Sequence, residues 1–94
     1  MAVLTQGSFD LDQAWDLDPM VSVRPEPFGA LLYHFGTRRL SFLKDPRLHQ
    51  VVASLREHPS ARAACVAAEV PASELPRFAL ALQRLSLTDM LVRR

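Results

Sequence analysis

At 94 residues, 49% apolar and 22% charged, the chain can build one compact domain and not two, because a chain this short uses nearly all its apolar residues in a single core. Its formal charge of +1 is too small for strong binding to nucleic-acid phosphates, and no apolar run approaches bilayer length. Residues 1–7 lack the basic start and apolar stretch of a signal peptide, so a cytoplasmic location is expected.

The charges are unevenly placed. Asp10, Asp12, Asp16 and Asp18 precede the first basic residue, Arg24, which leaves the remainder net basic. Between residues 9 and 18, apolar or uncharged side chains alternate with mostly acidic ones at period two, which predicts a strand with one wet face, stopped at Pro19. Residues 1–18 therefore read as an acidic N-terminal segment and residues 19–94 as the main domain. Val21 and Val23 continue the alternation as a short strand. Pro25 and Pro27 lack backbone donors and suit an edge or a strand exit. Residues 30–35 and 39–43 then pair as a hairpin across Gly36 and Thr37, with glycine supplying the turn conformation. Leu31, Tyr33, Leu40 and Phe42 are assigned to the core face. Arg38, Arg39, Lys44 and Arg47 crowd the last strand and its exit, either as a positive field that steers an acidic partner or as charges that keep a solvated edge soluble.

After Asp45, an N-cap, and Pro46, tolerated in a first turn, the apolar period becomes helical. Leu48, Val51, Val52 and Leu55 form the stripe of a first helix. His58-Pro59-Ser60 breaks it, and Ser60 caps a second helix whose Ala61, Ala64, Cys65 and Ala68 permit close approach. Cys65, the single cysteine, cannot form an internal disulfide and reads as core filler among alanines. A third helix begins at Ser73 with Leu75, Phe78, Ala79, Leu82 and Leu85 as its core stripe. Leu80 and Leu87 lie off that stripe and either line a groove or are ordinary exposed leucines. The layout is α+β: a three-stranded antiparallel sheet followed by three helices, as in a winged helix-turn-helix.

A winged helix raises DNA binding as an alternative, with the third helix as recognition helix of a transcriptional regulator. That helix offers only Arg77 and Arg84 against Glu74, a weak basis for phosphate contacts. Catalysis has less support still. His34, His49 and His58 fall on a strand, a helix and a helix end without metal-ligand spacing, and Glu26 and Glu57 have no paired carboxylate to divide acid and base roles. Neither a catalytic site, a metal site nor a cofactor is expected.

The run R-P-E-P-F-G-A-L-L-Y-H-F-G-T-R-R-L-S-F-L-K-D-P at residues 24–46, with H-P-S-A-R-A-A-C at residues 58–65, resembles the mycofactocin-system peptide chaperones of the PqqD-like precursor-recognition family. The resemblance extends from Asp16 to the end. It implies a non-enzymatic protein that binds the leader of a ribosomally made precursor peptide by β-strand addition and presents its C-terminal end to a radical S-adenosylmethionine maturase. The iron–sulfur cluster and S-adenosylmethionine would belong to that maturase. In this family the leader lies between the third strand and the third helix, here residues 39–44 and 75–85. Arg38, Arg39 and Lys44 would pair with acidic leader side chains, each exposed pair contributing ~0.2–1 kcal/mol, with Arg77 and Arg84 doing likewise from the helix. Leu43, Phe78, Leu80 and Leu82 would form the apolar pocket, where each leucine-sized group buried contributes roughly 1.5–3 kcal/mol. Leu40, Ser41, Phe42 and Leu75 complete the implied peptide-binding set.

Phe9, Leu11, Trp15 and Leu17, backed by the aspartates, themselves resemble an acidic strand-forming ligand. That segment is expected either to dock on the basic edge, as a plug in its own chain or a swapped arm of a homodimer, or to remain a loose tail with Trp15 over the sheet.

Overall fold

In the computed structural model, which describes residues 9–94, the chain runs through β1 (Trp15–Leu17), β2 (Val21–Glu26), β3 (Gly29–His34), β4 (Leu40–Leu43), α1 (Pro46–Ser54), α2 (Ala61–Ala67), α3 (Leu75–Leu87) and β5 (Leu91–Arg93). The fold is α+β, with β2, β3 and β4 forming an antiparallel sheet in that order and three helices following. β1 and β5 pair separately as an antiparallel ribbon, with Asp16 opposite Val92. Residues 1–7, read above as lacking a signal peptide, lie outside the described residues.

The helices form where their caps and stripes direct. The Asp45 side chain accepts from the Arg47 amide at 2.8 Å and Pro46 opens α1, while Ser60 Oγ accepts from the Ala63 amide at 3.1 Å to start α2. Leu48, Val51, Val52 and Leu55 are buried, as are Ala61, Ala64, Cys65 and Ala68. A 3-10 turn at Ala72–Glu74 leads into α3, which buries Phe78, Leu82 and Leu85 and leaves Leu75 and Ala79 partly exposed. Burial pushes the Cys65 thiol pKa up, consistent with an inert core position.

The face of the sheet that meets the helices is the opposite of the one expected. Ala30, Leu32 and His34 of β3 and Leu43 of β4 point inward, whereas Leu40 and Phe42 are 55% and 57% exposed and Leu31 and Tyr33 are partly exposed on the outer face. Both parities of β3 are apolar, so period two alone could not choose between them. At the start of β3, Gly29 lies close against the Leu43 backbone. Gly29 has φ +149°, and a Cβ there would stand 2.0 Å from the Leu43 carbonyl oxygen.

The hairpin turn also differs. Its left-handed residue is Arg38 (φ 64°) rather than Gly36. The buried His34 organises the turn by accepting at Nδ1 from the amides of Gly36 and Thr37, both at 3.0 Å. Gly36 is needed for space, since a Cβ there would lie 2.9 Å from His34 Cε1.

The period-two run at residues 9–18 is a strand only at Trp15–Leu17. Ahead of it the Asp10 side chain accepts from the Asp12 amide at 2.9 Å and the Gln13 amide donates to the Asp10 carbonyl at 3.2 Å, so the chain turns. Phe9 stacks on Trp15 with centroids 4.5 Å apart. The amides of Ala61 and Arg62 donate to the carbonyls of Gln13 and Leu11, and Arg62 binds Asp12 at 2.8 Å. Residues 9–17 thus lie against α2 and β5, away from β4.

Candidate functional site

The three-stranded sheet has two edges, and they are not equivalent. The register of β2 on β3, continued by the Phe35 amide donating to the Met20 carbonyl, turns the amides of Val21, Val23 and Pro25 away from β3. Val21 already donates to the Asp18 carbonyl at 2.9 Å, and proline has no donor. The β2 edge is therefore poor in donors, with only the Val23 amide left to offer. On the other side, the His34 amide donates to the Arg39 carbonyl at 3.0 Å, and continuing that alternation gives Ser41 to Leu32 and Leu43 to Ala30. The amides and carbonyls of Leu40 and Phe42 then point off the open edge of β4, and nothing among the described residues pairs with that edge.

Beside the edge runs a groove of about 300 Å³, walled by Leu40, Ser41, Phe42 and Leu43 of β4, Leu48 of α1, and Ala81, Arg84, Leu85 and Thr88 from the end of α3. A smaller recess of about 40 Å³, bounded by Asp45, Leu48, Arg77, Phe78 and Ala81, continues it. α3 presents Ala81, a small side chain, where it faces β4, which keeps the slot open. Positions 77, 81, 84, 85 and 88 share this face by helical periodicity.

One end of the groove is tied down by charge. Glu74 binds Arg47 at 2.7 Å and also Arg77, and both guanidinium groups reach Asp45, at 3.5 and 3.4 Å. The Phe78 ring lies 5.4 Å from the Arg47 guanidinium and 5.0 Å from that of Arg77. Hydrogen bonds from Arg47 and Arg77 hold the Glu74 carboxyl below its ordinary pKa. Burial acts to raise Asp45, but the Arg47 amide and the two guanidinium groups together outweigh it and hold that carboxyl low as well. Arg38, Arg39, Lys44 and Arg84, by contrast, make no ion pair among the described residues.

Of the residues the sequence nominated, Leu40, Ser41, Phe42, Leu43 and Arg84 come together around the groove. Arg38 and Arg39 sit in the turn leading into β4, and Lys44 leaves it. Leu82 is 0% exposed and Phe78 is 2% exposed; both serve the core rather than an open pocket, although the Phe78 ring edge closes the small recess. Arg77 is engaged by Asp45 and Glu74. Leu75 starts α3 without lining the groove. Leu80 is exposed, about 100° around the helix from Ala81, and does not line the groove. Leu48, Ala81, Leu85 and Thr88 were missed. Leu48 and Leu85 fall on the core stripes of their helices, and nothing in a linear pattern marks a small residue such as Ala81 as a groove floor.

Against known sequences, the family model described as the Peptide chaperone MftB family matches residues 14–92. The chain belongs to that family. It is similar to the peptide chaperone MftB of Mycobacterium ulcerans, 56% identical over 86 residues that cover 92% of this chain and 79% of the relative. The protein of that name from Mycolicibacterium smegmatis is 52% identical over 90 residues, covering 96% and 88%, and that from Mycobacterium tuberculosis is 51% identical over 86 residues, covering 92% and 79%. No solved structure gives a significant match. Family membership carries a peptide-chaperone role, which is non-enzymatic. Among the described residues, no helix is long and apolar enough to cross a membrane.

Proposed function

We propose that this peptide chaperone binds the acidic leader of a ribosomally made precursor peptide as an added strand on β4 and presents the remainder of the peptide to a radical S-adenosylmethionine maturase. The observation that carries the reading is the set of unused amides and carbonyls of Leu40 and Phe42 beside the β4–α3 groove. An incoming strand satisfies those groups, and its alternate side chains enter a slot bordered by Ser41, Leu48, Ala81 and Leu85. Main-chain bonds supply affinity that depends little on sequence, and the slot supplies selectivity. Arg38, Arg39, Lys44 and Arg84 give the rim a positive field for acidic side chains. The maturase, with its own cluster and cosubstrate, follows from the family resemblance.

Calorimetric titration with the whole precursor and with its leader alone tests the reading. Equal affinity for the two is expected. A chain made by chemical synthesis with an N-methyl group on Phe42 loses the outward donor while keeping the Ser41 bonds to β3, and it should lose leader binding. Undiminished affinity of the N-methylated chain would sink strand addition.

A further inference from the structure

The outer face of the sheet, which carries no helix, exposes apolar side chains outside the groove. Phe42 is 57% and Phe28 41% exposed, with ring centroids 6.3 Å apart, and together with Lys44 they border an open recess of about 440 Å³. Exposing two phenylalanines at the end of an unpaired edge costs solubility unless something covers them. The geometry of β4 specifies what can. Residues directly opposite one another in an antiparallel pair share a face. A ligand residue that exchanges hydrogen bonds with Phe42 must therefore point to the outer face, beside the Phe42 and Phe28 rings. Its immediate neighbours, opposite Ser41 and Leu43, point into the groove. The ligand residue opposite Lys44, two positions from the one opposite Phe42, returns to the outer face next to the ammonium group.

We propose that Phe28, Phe42 and Lys44 form a second specificity subsite that reads the same docked strand from its other face, taking an aromatic or branched aliphatic side chain with a carboxylate two residues away. The inference rests on strand addition at β4 and adds the ligand chemistry. Recognition is two-sided: the groove selects residues of one parity, and the outer subsite selects an apolar residue and an acidic residue of the other parity. Phe28 contributes from the β2–β3 turn, outside the edge strand, so it can be changed without touching the main-chain ladder. Lys44 makes no ion pair within the chain among the described residues, which leaves its charge for the ligand.

Short synthetic peptides tiling the precursor, each with single alanine replacements, are titrated against the wild-type chain, Phe28→Ala and Lys44→Glu, with melting curves run in parallel to confirm folding. Phe28→Ala should weaken the best peptide by about tenfold, the scale of one partly buried apolar side chain. The alanine replacement that costs most among the outward residues should cost nothing further in Phe28→Ala, while replacements of the flanking inward residues keep their full effect. Lys44→Glu should invert the preference for an acid two positions away. Wild-type affinity in both variants, or a loss in Phe28→Ala without that coupling, overturns the outer subsite while leaving strand addition standing. If no tiled peptide binds the wild type, or if N-methyl Phe42 binds as tightly, strand addition fails and this subsite fails with it.

Discussion

Glu74 illustrates how a single side chain can hold one end of a groove in shape. It receives both Arg47 from α1 and Arg77 from α3, so it fastens two helices at the end of the slot where Asp45 caps α1. Its carboxyl sits below its ordinary value of 4.5 in the folded protein, so the ionised form is favoured by folding. The stabilisation is present above that value and is lost as pH falls through the lower folded value. Glu74→Gln should therefore melt at a lower temperature than the wild type at neutral pH, and the two should converge as the solution is acidified below about 4.5. Melting curves that stay equally separated across that range would show that the cluster is not what titrates. His34 is the residue-scale surprise. The sequence offers it only as a strand histidine without metal-ligand spacing, but its ring accepts from two turn amides and dictates the glycine beside it.

Among the elements, the helices were the legible part, the N-terminal strand was legible but read too long, and the C-terminal strand was not legible. Asp45-Pro46 and Ser60 announce helix starts through local hydrogen bonds, and the apolar stripes of α1 and α2 match the buried set. β5 had no such signature, because three residues are too few to show a period and its partner lies some seventy-five positions away, Leu17 opposite Leu91. Its role is nonetheless large. Met90 and Leu91 are 0% and 3% exposed, the Asp18 amide donates to the Met90 carbonyl, and the Arg94 amide donates to the Ala14 carbonyl. Truncation after Asp89 should cost on the order of 3–5 kcal/mol of unfolding free energy in urea, from two buried side chains and the lost ribbon. Hydrogen exchange should then show Trp15–Leu17 unprotected while the β3–β4 amides stay slow. Protection persisting at Trp15–Leu17 would mean that contacts other than β5 hold the segment.

For the molecule as a whole, the distribution of charge decides how a ligand arrives. The formal charge is only +1, yet Asp12 and Asp16 are paired with Arg62 and Arg56, while Arg38, Arg39, Lys44 and Arg84, at β4 and the groove, make no ion pair among the described residues. Leader association should slow severalfold between roughly 0.01 M and 0.15 M salt, as the screening length shrinks from about 30 to 8 Å, with dissociation changing less. Stopped-flow rates independent of salt would remove electrostatic steering from the account. Of the two readings of the acidic segment, docking on the basic edge is not what the described residues show, since residues 9–17 are occupied at α2 and β5.

Local chemistry alone determined the starts and apolar stripes of α1 and α2, the breaks at Pro59 and Pro71, the hairpin and the run of cations beside it, because each depends on residues within one or two turns of one another. Only the tertiary structure decided which face of the sheet is inside. In β3 the sequence Ala30-Leu31-Leu32-Tyr33-His34 is apolar at both parities apart from its last residue, so either face could be buried, and the choice followed from the packing of α1 against the face that carries Leu32. That choice moved Leu40 and Phe42 from core to surface, and with them the chemistry that a docked strand would meet.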